Sequence, residues 1–145
     1  MPANPPDGMP RISSYLLYED VAAALDWLAQ AFGFSERYRL PGPDGTVSHA
    51  EIEFGEGVVM LGNPGPDYRN PKRVGQVTQQ LYVYVDDVDK HFEHARAAGA
   101  SILAEPEDQF YGDRRYGAED PEGHHWYFAQ HVRDVAPEDM KPPAS

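Results

Sequence analysis

Apolar residues recur along this chain at two alternating periods, every second position in short runs and every third or fourth in longer ones. Ile12 to Tyr18 (ISSYLLY) reads as an apolar and aromatic strand running into an acidic helix start. In the following DVAAALDWLAQAFGF, Asp20 is the expected N-cap. Val21, Leu25, Leu28 and Phe32 recur at helical spacing, and Gly33 supplies the stop. The same order returns at QQLYVYVDD and DVDKHFEHARAAGAS. There Asp86 or Asp87 caps, Val88, Phe92 and Ala95 form the stripe, and Gly99 terminates. Short extended segments follow each helix, over Ser35–Leu40, Thr46–Phe54 and Val58–Leu61, then Ser101–Leu103, Tyr111–Ala118 and His125–His131. Turns of composition PGPDG, GEG and DPEG separate them. The pattern predicts an α+β fold of two βαβββ units, each a four-stranded sheet with a helix on one side. The other face stays partly apolar and aromatic, so the sheet is expected to curve around a partner or a ligand.

Proline-rich, aperiodic ends set the expected boundaries. Residues 1–10 are read as a disordered tail and 134–145 as a flexible one. A single domain is expected over 11–133, with module one at about 11–62, a linker at 63–76 and module two at 77–133. Tyr68, Arg69 and Arg73 in that linker are alternatively placed over a cavity mouth.

Charge narrows the partners. Twelve Lys and Arg against 24 Asp and Glu leave a formal charge of -12, without the basic footprint of a nucleic-acid binder and unsuited to an anionic membrane surface. A charged guest is more easily a cation. The absence of cysteine excludes disulfides, thiolate metal ligands and a thiol nucleophile, and suits a cytoplasmic setting. The N-terminal MPANPPDGMPR has no apolar core of a signal peptide, and no run approaches a membrane span.

Four stretches together carry a family likeness: LLYEDVAAALDWLAQAFGF, HAEIEFGEGVVML, YVYVDDVD and YGDRRYGAEDPEGHHWYF. In this order and spacing, over about residues 11–131, the chain resembles the glyoxalase/bleomycin-resistance/dioxygenase superfamily, the vicinal oxygen chelate proteins. The last stretch resembles the closing hairpin of its PhnB-like, or glyoxalase-like, subgroup. The resemblance implies paired βαβββ modules forming a curved mixed sheet around a cavity, commonly in a homodimer. Metal-dependent members carry His or Gln, Glu, His and Glu at four cavity-facing strand positions. Carried over, these fall on Ser13, Met60, Gln80 and Tyr127, a set poorly suited to a hard divalent ion, so no metal and no cofactor is expected.

Strand alternation sorts the remaining residues by face. Leu16 and Tyr18, Ala50, Ile52 and Phe54, Leu81, Val83 and Val85, and Trp126 and Phe128 share the parity that packs on the helices. The opposite parity carries Tyr15, His49, Glu51, Met60, Gln80, Tyr82, Tyr84, His125 and Tyr127, and these nine are the expected ligand-binding set. Adjacent His124 and His125 point to opposite faces and cannot chelate one ion without a bulge. His91 and His94 are read as lying on a solvated helix face. Of Arg114 and Arg115 only one enters the concave side. An ion pair with neighbouring Asp113 is expected to hold the hairpin, and Glu51 is a candidate partner for a buried arginine.

Two activities stay open. One is metal-independent binding of a medium-sized aromatic molecule, with a cationic one favoured, as in members that sequester bleomycin-type antibiotics. The other is a lyase, isomerase or ring-cleaving oxygenase that uses His49 and Glu51 as an acid–base pair. Those two share a strand face about 6–7 Å apart at their Cβ atoms.

Overall fold

The computed structural model describes residues 2–144. They divide into two units, the first ending at Val74 and the second beginning at Gly75. The first comprises β1 (Ser14–Leu17), α1 (Val21–Phe32), β2 (Ser35–Pro41), β3 (Val47–Phe54), β4 (Gly57–Gly62) and a short α2 (Pro71–Val74). The second comprises β5 (Gln80–Tyr84), α3 (Val88–Ala97), β6 (Ser101–Asp108), β7 (Asp113–Glu119) and β8 (His125–His131). The sheet orders are β1-β4-β3-β2 and β5-β8-β7-β6. In each the first strand runs parallel to the last and the other pairings are antiparallel, so both sheets are mixed βαβββ folds.

Local chemistry sets the element ends. Asp20 accepts a hydrogen bond from the Ala23 backbone N–H at 3.0 Å to cap α1, and Gly33 at φ 81° closes it. Asp87 rather than Asp86 caps α3, accepting from the Lys90 N–H at 3.1 Å. One face of each sheet is sealed by its helix. Leu16, Ile52 and Leu61 pack with Val21, Leu25, Leu28 and Phe32 in the first unit. Tyr116, Trp126 and Phe128 pack with Val88, Phe92 and Ala95 in the second, all fully or nearly buried. Each such side chain contributes roughly 1.5–3 kcal/mol of burial energy, which pins strand register because a one-residue slip would expose the whole row.

The strand expected over Ser101–Leu103 extends to Asp108. Pro106 suggests a break, yet β6 is an edge strand, where a missing N–H is tolerated, and its register slips between Ala104 and Glu107. The DPEG turn is organised by Asp120, which is buried. Its carboxylate accepts from the backbone N–H groups of Glu122 and His124 and from Trp126 Nε1, each at 3.0 Å. Residues 63–74 run back along the first unit. The Tyr68 hydroxyl donates to the Leu17 carbonyl at 2.8 Å, while Glu19 accepts from the Asn70 N–H at 3.0 Å and pairs with Arg73 at 2.6 Å. Among the described residues no helix is long and apolar enough to cross a membrane.

Candidate functional site

Each sheet leaves one face uncovered by its own helix, and the nine expected residues occupy those faces: Tyr15, His49, Glu51 and Met60 on the first, Gln80, Tyr82, Tyr84, His125 and Tyr127 on the second. Register arranges them in cross-strand rows. On the second sheet these are Gln80–His125–Glu119, Tyr82–Tyr127–Gly117 and Tyr84–Ala129–Arg115.

Asp113, at the start of β7, organises the second face. It is 3% exposed, and one carboxylate oxygen accepts from the hydroxyls of Tyr82 at 2.7 Å and Tyr84 at 2.8 Å. The other meets His131 Nδ1 at 2.8 Å, and His131 Nε2 meets Asp134 at 2.7 Å. Burial would raise the Asp113 pKa, but the hydrogen bonds from His131, Tyr82 and Tyr84 outweigh it and hold the carboxyl below its ordinary value. The bonds to Asp113 and Asp134 raise the His131 pKa in turn. Burial, with Tyr111 and Asp113 alongside, drives the Tyr82 phenol far above its usual range. The bond to Asp113, followed by burial, raises that of Tyr84. Both phenols therefore remain protonated donors with their tips committed. The two residues nevertheless stay exposed, at 39% and 58%, with ring centroids 5.6 Å apart and planes at 70° in an edge-to-face contact.

Tyr127 lies over Gly117, where an added Cβ would come within 2.6 Å of the ring. The Arg115 guanidinium sits 4.9 Å from the centre of the same ring. His125 and Glu119 stand 3.9 Å apart, a loose ion pair at best geometry.

The first face carries a hydrogen-bonded chain. Arg37 Nε donates to Glu51 at 3.2 Å, the other Glu51 oxygen meets His49 Nε2 at 3.3 Å, and His49 Nδ1 meets the Tyr15 hydroxyl at 2.9 Å. A carboxylate only accepts, so Nε2 carries a proton toward Glu51, and in the neutral tautomer Nδ1 accepts from Tyr15. Met60 lies between Tyr15 and Glu51 in the register, and Tyr38 faces Glu51 from β2.

Several expected contacts are replaced by others. Arg114 pairs with Asp89 and Asp108, both at 3.1 Å, rather than with Asp113, because its parity turns it to the helix side. Glu51 serves Arg37 and His49 instead of Arg114 or Arg115. His91 is not on a solvated face: its Nδ1 meets the Tyr116 hydroxyl at 2.5 Å and its ring packs 4.3 Å from Phe128. His131, Tyr111 and Arg37 were not singled out from the sequence, and Asp113 was read only as an ion-pair partner for the adjacent arginines. Asp113 had a signal in its parity, which it shares with Arg115 and Gly117 on the open face.

The four positions the family uses for a metal do not fit a hard divalent ion here. They offer a hydroxyl, a thioether, an amide and a phenol. Among the described residues no cluster of three or more His, Cys, Asp or Glu forms a ligand set, and the buried Ser13 hydroxyl has no hydrogen-bond partner. A surface hollow of about 290 Å³ between Glu107–Phe110, Arg133 and Lys141 shares none of the nine residues.

Comparison with known proteins gives these faces a context. Uncharacterized proteins of Mycobacterium bovis and Mycobacterium tuberculosis are 37% identical over 131 residues, 87% of this chain and 86% and 77% of theirs. The crystal structure of TioX from Micromonospora sp. ML1 is 38% identical with a TM-score of 0.71, covering 85% of this chain and 99% of that one. The fold is shared with a lactoylglutathione lyase from Agrobacterium tumefaciens, 23% identical, at a TM-score of 0.61 over 87% of this chain and 95% of the other. The description "Glyoxalase/Bleomycin resistance protein/Dioxygenase superfamily" matches residues 10–128. With that span and these relatives, the chain belongs to the glyoxalase/bleomycin resistance protein/dioxygenase superfamily.

Proposed function

We propose that this protein binds a medium-sized aromatic molecule without a metal ion and releases it unchanged, in the manner of family members that sequester antibiotics. The observation that carries this reading is the pair of exposed tyrosines, Tyr82 and Tyr84, whose hydroxyls are held by the buried Asp113. Anchored rings lose little freedom when a guest stacks on them, so more of the contact energy appears as affinity. Two stacking contacts and two neutral hydrogen bonds amount to roughly 3–9 kcal/mol before ordering costs, which reaches the micromolar range at its upper end. The acidic surface leaves room for a cationic substituent on the guest. The closing hairpin supports placement in the PhnB-like subgroup, and a homodimer is part of the reading. Calorimetry against planar aromatic compounds and their saturated analogues tests it. Stoichiometric binding of the aromatic members, recovered intact by mass spectrometry, is expected, whereas equal affinity for the saturated analogues would overturn it.

A second reading has its own observation, the chain Tyr15–His49–Glu51–Arg37. A hydroxyl backed by an imidazole and a carboxylate is an acid–base arrangement, able to move a proton at the Tyr15 oxygen. Turnover of a bound compound that is lost in both His49→Gln and Glu51→Gln would favour it.

A further inference from the structure

We infer that the second sheet's open face recognises an oxyanion through Arg115, so that its ligand is an aromatic acid. This rests on the aromatic-binding reading and names the substrate class within it.

Four arginines are half-buried: Arg37, Arg39, Arg114 and Arg115. Three of them hold carboxylates. Arg37 pairs with Glu51 at 3.2 Å, Arg39 with Glu36 at 2.7 Å and Asp26 at 3.2 Å, and Arg114 with Asp89 and Asp108 at 3.1 Å. Among the described residues no carboxylate oxygen lies within 4.0 Å of Arg115. In a chain with 24 acidic residues against 12 basic ones, a sheltered guanidinium left unpaired runs against the prevailing electrostatics.

The neighbouring register position provides an internal control. Asp108 faces Arg114 across β6 and β7 and pairs with it. Glu107 faces Arg115 in the same ladder and does not. The Arg115 guanidinium lies instead over Tyr127, on the β8 side. A guanidinium held by a ring contact rather than by a carboxylate keeps N–H donors for an incoming anion, and its planar fork can grip a carboxylate with two parallel hydrogen bonds.

Position matches this chemistry. Tyr84, Ala129 and Arg115 form one cross-strand row, so the backbone positions of the exposed tyrosine and the arginine stand two strand spacings apart, about 10 Å. A one- or two-ring acid spans that distance with its ring on the tyrosines and its carboxylate on Arg115. The chain's overall charge of -12 favours a cation at long range, but a local fork of donors decides what binds at contact.

The test uses three probes of one shape: naphthalene-2-carboxylate, naphthalene-2-carboxamide and naphthalen-2-ylmethylammonium, titrated into the full chain by calorimetry at low salt. The carboxylate is expected to bind about tenfold or more tighter than the carboxamide, the worth of one charge-assisted hydrogen-bonded contact. In Arg115→Gln that ratio is expected to fall to about one, and Arg115→Lys, with charge but no fork, to restore it only in part. A carboxamide or ammonium probe that matches the carboxylate on the unmodified protein overturns the inference while leaving aromatic binding intact. A ratio unchanged in a folded Arg115→Gln protein also overturns it. If none of the three probes binds, the aromatic reading itself fails.

Discussion

Replacing Asp113 by Asn removes one charge from beneath the tyrosine pair while keeping the shape of the side chain. The native carboxylate accepts two phenol hydrogen bonds on one oxygen and an imidazole bond on the other, and water has almost no access to it. Hydrogen bonds to a charged group are worth about 1.5–3 kcal/mol each, but three that share one acceptor group do not add. Asn still accepts from the tyrosines through its carbonyl and presents N–H to His131, so the expected loss is about 2–3 kcal/mol. Urea unfolding at pH 6, followed by circular dichroism, measures it. Tyr84→Phe removes one donor and should cost roughly 1 kcal/mol, since that ring is otherwise exposed. In Asp113→Asn/Tyr84→Phe the two losses should fall short of additivity by about 0.5 kcal/mol or more. The pH dependence has a defined sign. The Asp113 pKa is lowered from 3.8, so its stabilisation is present above that value and disappears as pH falls through the folded pKa. The His131 pKa is raised from 6.5, so its share is complete below 6.5 and disappears as pH rises through the folded pKa. The difference between native protein and Asp113→Asn should therefore peak at mildly acidic pH, about 5–6, and shrink on both sides. Strict additivity in the cycle, or a difference flat from pH 3 to 9, would refute the argument that Asp113 binds these groups as one ionised network.

Gly117→Ala places a methyl group against the Tyr127 ring, which must swing away and release Arg115. Affinity for the naphthalene carboxylate should drop about tenfold, at a stability cost of roughly 1–2 kcal/mol, and an unaltered affinity would show that the ring position is immaterial. Asp120→Ala strips the DPEG turn of its carboxylate, leaving Trp126 Nε1 buried without that acceptor and freeing two backbone N–H groups. Denaturant melts should show about 3–4 kcal/mol lost, and a loss under 1 kcal/mol would mean that the turn holds without it.

Face assignment was legible from residues alone because alternation is a local rule. The parity that separates Val83 from Tyr82 and Tyr84, or Ile52 from Glu51, needs only the strand, and the helix-side residues are buried or, at Phe54, Leu81 and Val83, half-buried. Helix starts and stops were equally local, resting on Asp20, Asp87, Gly33 and Gly99. Partner choice was not. Asp113 collects Tyr82, Tyr84 and His131 from strands 18 to 31 residues away, and no spacing rule links them. The phenol hydroxyls that suggested polar contacts to a guest are spent on that aspartate. Their rings, not their tips, are what the face offers.

Periodicity and capping are encoded within a few neighbouring residues, so element order, strand parity and the two βαβββ repeats were already written in the chain. Charge pairing is a contest among 24 acids and 12 bases, decided only by which of them the sheets bring within reach. Three-dimensional packing gave Arg114 its two carboxylates, left Arg115 with a ring in place of one, and set Tyr127 over a glycine. Each outcome depends on distances across strands that linear order does not contain.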